Sequence, residues 1–88
     1  MSLITGWAGR RRARSDAAVL GALLLGDIYA YDIWHRIGGS SGAIYRSLWR
    51  LEEAGDVWSA RVDQPGAGSR KRYGVTRAAM DRISWECR

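Results

Sequence analysis

Glycines divide the first two thirds of this sequence into three short segments. The glycines that end these segments are Gly26, Gly38, Gly39 and Gly55. A glycine just past the last apolar residue of a segment is typical of a helix end, because it adopts the left-handed backbone that terminates a helix. The segments predict three helices, at about residues 16–25, 29–37 and 41–54. Short helices bury little surface alone, so the three must share one core, and 88 residues form one domain.

Each predicted helix has one apolar face. The residues expected to point inward are Leu20, Leu23 and Leu24 in the first helix, Ile33 and Ile37 in the second, and Ile44, Leu48 and Leu51 in the third. Oxygen-bearing side chains precede two of the helices and can accept hydrogen bonds from free backbone N–H groups. They are Ser15 or Asp16 for the first helix, and Ser40 or Ser41 for the third.

The sequence after Gly55 predicts a β-hairpin. Strand-forming residues at about 57–63 and 70–75 flank a glycine-rich turn that contains the only proline, Pro65. Strand alternation places Arg70 and Arg72 on one face of the hairpin and Lys71 on the other, with Arg61 opposite.

A last helix is predicted at about 77–85, where Thr76 is placed to cap it. Its inward residues are expected to be Ala79, Met80 and Ile83. Three helices, a two-stranded wing and a short C-terminal helix follow the order of the winged helix-turn-helix, a mainly α (α+β) fold. We expect this domain to span residues 15–88.

Positive charge is concentrated in two zones. The net charge is +5, and residues 16–56 are mildly acidic, so the excess lies at the N-terminus and in the hairpin. The N-terminal stretch has no apolar period, which predicts an extended, disordered basic arm at residues 1–14. Its arginines are Arg10, Arg11, Arg12 and Arg14. Such a charge distribution favours a polyanionic partner.

Several function classes are not expected. Cys87 is the only cysteine, so neither an intrachain disulfide nor a thiol metal cluster can form, and a cytoplasmic setting fits. His35 has Asp32 three residues before it but no further soft ligand, so we expect no metal and no cofactor. The sequence shows no acid/base pair or nucleophile motif, and we do not expect an enzyme.

The stretch RRRARSDAAVLGALLLGDIYA is similar to a secretory signal, with basic residues before an apolar run. Asp16 interrupts the junction and Gly21 dilutes the run, which favours a buried helix instead. The run is also too short to span a bilayer, so a membrane partner is not expected.

The chain contains VLGALLLGDIYAYDIWHRI, SSGAIYRSLWRLEEAGDV and RKRYGVTRAA, all within about residues 18–83. In this combination it resembles the PadR-like transcriptional regulators. The resemblance implies a winged-helix protein that binds operator DNA, usually as a dimer. Members of that family usually dimerise through long C-terminal helices. Here we expect at most a weak homodimer, through apolar residues near the two ends: Leu3, Ile4, Trp7 and Trp85.

The resemblance implies that the helix at 41–54 enters the major groove, which admits one α-helix. Small residues permit close approach at its start: Ser40, Ser41, Gly42 and Ala43. Arg46 is expected to donate a fork to guanine, Arg50 to reach a base or phosphate, and Tyr45 to pack or bind a phosphate. The wing at 57–75 is expected on the DNA backbone through Arg61, Arg70, Lys71 and Arg72. The basic arm is expected in the minor groove.

We therefore expect a sequence-specific binder of double-stranded DNA, a transcriptional repressor associated with the nucleoid. Two other functions remain open: an architectural or recombination-accessory DNA binder, and a protein-interaction module on a winged-helix scaffold. At the level of residues, Arg46 and Arg50 can instead form a solvated face, with Arg50 paired to an acidic neighbour such as Glu53.

Overall fold

The computed structural model describes the backbone of residues 3–64, 66 and 68–86, and side chains within residues 14–63, 66 and 70–83. The elements are α1 (Leu3–Leu24), α2 (Ala30–Ile37), α3 (Ser41–Glu53), β1 (Val57–Gln64), β2 (Gly68–Val75) and α4 (Arg77–Glu86). This order confirms the predicted winged helix-turn-helix of mainly α (α+β) class. No helix in the described part of the chain is long and apolar enough to cross a membrane.

One apolar core lies where α1, α2 and α3 meet the base of the hairpin. Its members are Val19, Ala22, Leu23, Ala30, Ile33, Ile44, Leu48, Leu51, Val57 and Tyr73. The predicted inner stripe of α3 is confirmed, since all three of its apolar residues are buried. Burying one large aliphatic side chain stabilises a fold by about 1.5–3 kcal/mol, so this short set supplies much of the driving force.

The prediction for the start of the first helix is wrong. α1 begins at Leu3, so residues 10–14 belong to a helix and not to an extended, disordered arm. Arginine and alanine are strong helix formers, and this propensity outweighs the modest repulsion between Arg14 and the arginines three and four positions before it. Ser15 and Asp16 accordingly do not cap a helix; both contact α3.

Three residues that were expected to be inward are exposed: Leu24, Ile37 and Met80. In α1 the buried face is rotated, and Val19, Ala22 and Leu23 form it. The run AVLGALLL is apolar all round, so its pattern does not determine which side faces the core. The prediction for Ile33 is confirmed, because its side chain is fully buried.

Two of the predicted helix caps are confirmed. The Ser40 hydroxyl accepts a hydrogen bond from the Ala43 backbone N–H at 3.2 Å, and the Thr76 hydroxyl accepts one from the Ala79 N–H, also at 3.2 Å. The Thr76 hydroxyl also donates to the Gly55 carbonyl at 2.8 Å, which joins the end of α3 to the start of α4.

The wing is an antiparallel hairpin whose base is fixed to the helices. Its register runs from Val57 opposite Val75 to Gln64 opposite Gly68. On the outer edge of β2, the Tyr73 N–H donates to the Ile28 carbonyl at 2.8 Å. The polypeptide before α2 therefore runs beside the wing.

Two glycines give opposite predictions for stability. A Cβ at Gly74 would collide with the Trp58 indole, whereas a Cβ at Gly21 meets nothing within 4 Å. Gly74→Ala is expected to destabilise the fold by about 1–3 kcal/mol through overpacking. Gly21→Ala is expected to stabilise it by about 0.5–1 kcal/mol, because alanine loses less backbone entropy in a helix. Urea denaturation measures both changes, and equal signs for the two would contradict this packing.

The environment of Tyr73 predicts that the fold becomes less stable at alkaline pH. Burial raises the pKa of its phenol above the ordinary value of about 10, and the charges of Tyr45 and Glu52 add to the rise. The folded state then holds the proton to higher pH than the unfolded state, so the free energy of unfolding falls as pH rises above about 10. Chemical denaturation of the chain and of Tyr73→Phe between pH 8 and pH 11 measures the free energy of unfolding at each pH. The variant is expected to show the shallower fall of that free energy as pH rises.

Candidate nucleic-acid interface

The start of α3 is an exposed surface built from small residues. Ser40, Ser41 and Gly42 are exposed, and Ala43 is partly exposed. The opposite side of the helix is held in the core by Ile44, which is buried. A groove or a phosphate can thus approach the first turn closely, as the sequence predicts.

Arg46 extends from this same exposed turn. A Cβ added at Gly42 would lie 3.3 Å from Arg46 Nη1, so the guanidinium folds back over the start of α3. Within the described residues no carboxylate is paired with Arg46. Its fork of N–H donors is therefore available to an acceptor outside the chain.

Arg50, by contrast, is engaged inside the protein. Its Nη2 lies 2.8 Å from Asp16 Oδ1 and its Nε lies 3.2 Å from Asp16 Oδ2, a bidentate ion pair. Nη2 also donates to the Ser47 hydroxyl at 3.1 Å. The acidic partner expected as an alternative exists, but it is Asp16 of α1 and not Glu53. Arg50 points toward α1, and so it is not brought together with Arg46.

Ser47 is a residue of this region that the sequence analysis did not single out. Its side chain is fully buried, and its hydroxyl lies 2.8 Å from that of Ser15. A small polar residue on the buried side of α3 allows close approach of α1 and offers Arg50 an acceptor. The signal was present in the sequence, since Ser47 shares the inner face of α3 with Ile44 and Leu51.

Two exposed aromatic side chains flank Arg46. Tyr45 is 56% exposed and Trp49, one turn further along α3, is 64% exposed. Large aromatics are costly to leave in water and are enriched where proteins bind partners. The outer face of α3 thus combines one free guanidinium with two flat apolar surfaces.

The wing carries its cations on both faces. Arg61 lies directly opposite Lys71 in the ladder. On the other face, the Arg70 guanidinium lies 4.1 Å from the centroid of the Tyr29 ring, and that of Arg72 lies 5.5 Å from the Trp58 ring. The aromatic faces hold these guanidiniums while their N–H edges remain open to acceptors.

Other residues considered in the sequence lie apart from this surface or outside the described side chains. Arg14 is exposed on α1, whereas the side chains of Arg10, Arg11 and Arg12 lie outside the described part. The same holds for the apolar residues near the two ends: Leu3, Ile4, Trp7 and Trp85. His35 packs against Tyr31, with ring centroids 4.3 Å apart. Among the described residues no group of potential ligands is arranged to hold a metal ion.

The two arginines of α3 are expected to differ in their effect on stability. Arg50→Gln should lower the free energy of unfolding by about 1–3 kcal/mol, because it leaves the half-buried Asp16 carboxylate without its cation. Arg46→Gln, the matched control on the same helix, should change it by less than about 0.5 kcal/mol. Chemical denaturation of both variants measures the contrast, and an equal loss in both would contradict the assignment.

The chain matches no known protein-family model and no curated protein. Solved structures do match. A PadR-like transcription factor from Bacteroides fragilis superposes with a TM-score of 0.81 at 20% identity, over 93% of this chain and 89% of that chain. A PadR family transcription regulator from Clostridium difficile R20291 gives a TM-score of 0.69 at 24% identity, over 82% of this chain and 81% of that chain.

A third similar structure is Bacillus subtilis PadR in complex with operator DNA. Its TM-score is 0.69 at 23% identity, and the match covers 83% of this chain and 46% of that chain. At such identities the likeness concerns the fold. The predicted resemblance is confirmed at that level: this chain has the winged-helix fold of the PadR-like transcription regulators.

Proposed function

We propose that this chain binds double-stranded DNA in a sequence-specific manner and acts as a transcriptional repressor. The observation that carries the proposal is the contrast between its arginines. On the helical body Arg36, Arg50 and Arg82 are each paired with an aspartate. Among the described cations without such a partner, Arg14 and Arg77 lie singly on α1 and α4, whereas Arg46 and the four wing cations concentrate unneutralised charge on the outer face of α3 and on the wing.

α3 is the element that reads bases. Its exposed first turn carries Arg46 above the small residues Gly42 and Ala43, so the helix can lie deep in the major groove. A planar guanidinium donates two parallel hydrogen bonds to guanine, which is the commonest specific contact of this kind. Arg50, held by Asp16, orients α3 from behind and does not itself reach the groove in this arrangement.

The wing contacts the phosphate backbone. Arg61 and Lys71 face each other across the ladder, and like charges in that position repel. Phosphates that lie beside the hairpin neutralise this repulsion and release condensed counterions from the DNA. Such contacts add affinity and fix the register of α3, but they carry no sequence information directly.

The N-terminal arginines contribute in a different way from the one the sequence suggested. An α-helix is about 10–12 Å across with its side chains, whereas the minor groove is only about 6 Å wide. Because residues 10–14 lie in α1, they do not enter that groove as an extended arm. We infer that Arg14 and its neighbours attract DNA at longer range.

Repression follows if the bound chain occupies a promoter. A weak homodimer that assembles on the DNA would place two α3 helices on half-sites about one helical turn apart. The binding site would then be palindromic, and the protein would be found with the nucleoid.

The deciding experiment is selection of duplexes from a random pool with the full chain, followed by sequencing. A recovered motif supports sequence-specific binding, and inverted half-sites support a dimer. For contact with about six phosphates, log K is expected to fall with log salt at a slope of roughly −5. A slope near zero on every duplex would contradict the proposal and favour a protein partner instead. Strong bending of the bound duplex without a motif would favour an architectural role.

Variants of α3 and of the wing are expected to change DNA affinity and sequence preference in different ways. Arg46→Ala should cost about 1–3 kcal/mol on the selected duplex and relax the preference at one base position. Lys71→Ala should weaken selected and random duplexes by the same factor, because phosphate contacts do not report sequence. Fluorescence anisotropy titrations on both duplexes measure the two factors. Unchanged affinity and preference in Arg46→Ala would remove Arg46 from the base-reading role.

A further inference from the structure

A cleft of about 310 Å³ lies between the start of α2, the outer side of α3 and the returning strand of the wing. Four tyrosines, one alanine and two cations line it: Tyr29, Ala30, Tyr31, Tyr45, Arg70, Lys71 and Tyr73. Among the described residues, its lining includes no acidic side chain. A volume near the lower end of the range for ligand pockets, about 300–1,000 Å³, suits one small group rather than a large ligand.

The cations of this cleft are already in position. The central carbon of the Arg70 guanidinium lies 4.1 Å from the centroid of the Tyr29 ring, a cation–π contact that does not consume the N–H donors of the guanidinium. Within the described residues neither Arg70 nor Lys71 forms an ion pair with a carboxylate. A stacked guanidinium loses less side-chain freedom on binding than a free one, so the cleft is preorganised for an anion.

The tyrosines supply hydroxyl donors around these cations. Tyr31 and Tyr45 are 58% and 56% exposed, so their hydroxyls can turn toward a bound oxygen. Tyr73 forms the buried floor. Its phenol is protonated at neutral pH, as any tyrosine is, and burial raises its pKa further. Cations and hydroxyls around one small space are the donors that bind a phosphate group.

The location of the cleft points to DNA as the source of the phosphate. Tyr45 precedes Arg46 on α3, and Lys71 lies opposite Arg61 on the wing. The cleft is lined by Tyr45 of α3 and by Arg70 and Lys71 of the wing, the two elements proposed to contact DNA. A backbone that contacts both elements passes beside the cleft, which favours a DNA phosphate as its occupant.

We propose that this cleft holds one phosphodiester of the DNA backbone, clamped by Arg70 and Lys71 and by the hydroxyls of Tyr31 and Tyr45. The proposal rests on the DNA-binding function proposed above. It assigns roles to Tyr29 and Tyr31 of the α2 region, which neither the charge pattern nor the wing suggested. Tyr29 acts as a positioning residue, since it holds the Arg70 guanidinium in place.

The test replaces single phosphates of the selected duplex by uncharged methylphosphonates, one position at a time, and titrates each duplex with the full chain. One position per bound chain is expected to lose affinity by roughly tenfold, the size of a charge-assisted contact. Lys71→Gln and Tyr31→Phe should bind the normal duplex more weakly and lose most of their sensitivity at that one position. Arg77→Gln, which removes a cation from the exposed start of α4 outside the cleft, should keep the full sensitivity.

The outcomes separate this site from the general function. If wild type binds DNA with a steep salt dependence but the cleft variants stay as sensitive as Arg77→Gln at every position, the phosphate clamp is wrong and DNA binding stands. If no duplex binds, both proposals fail. A third arm adds inorganic phosphate at constant ionic strength. Displacement of DNA by millimolar phosphate, but not by an equal ionic strength of chloride, would show a free-anion site and overturn the assignment to DNA.

Discussion

The packing of α3 against α1 is the contact on which the rest of the structure depends. Ser47 is fully buried at this contact, and a small side chain there lets the two helices approach closely. Its hydroxyl meets that of Ser15, and Arg50 closes the polar side by binding Asp16. With its inner face fixed in this way, α3 has only one direction in which to present Arg46. The orientation of α3, the helix proposed to read bases, is thus set by side chains that face α1.

The sequence predicts well those elements whose signals are local. The α3 stripe at Ile44, Leu48 and Leu51 has helical spacing and is buried, and Ser40 and Thr76 cap their helices as expected. Spacing says much less where a segment is apolar all round or basic without interruption. Tertiary contacts decide which side of α1 is buried, because the apolar residues of that segment lie all round the helix. Helix propensity decides that α1 extends back to Leu3 through the basic stretch.

The candidate site is predictable to a similar degree. The free arginine and the basic wing follow from charge pattern and fold type. The partner of Arg50 could not be predicted in this way. Asp16 lies 34 positions away in the sequence, and only the packing of α1 on α3 brings the two together. Tyr29 and Tyr31 were missed for the same reason. Tyr29 meets Arg70 of the wing, and Tyr31 lines the same cleft, because the Ile28 carbonyl accepts a hydrogen bond from the edge of β2, a long-range contact that no periodicity reveals.

Ion pairing differs between the helical body and the wing, and so does the electrostatic energy of their cations. On the body, Arg36, Arg50 and Arg82 are bound to aspartates, so these three arginines offer little further attraction to an anion. On the wing, Arg61 and Lys71 oppose each other in the ladder, and their repulsion destabilises the free hairpin. A phosphate between or beside them removes that repulsion as it forms its own contacts. In the proposed complex the wing therefore gains stability on binding as well as supplying affinity, because the repulsion between its cations favours the bound state over the free one.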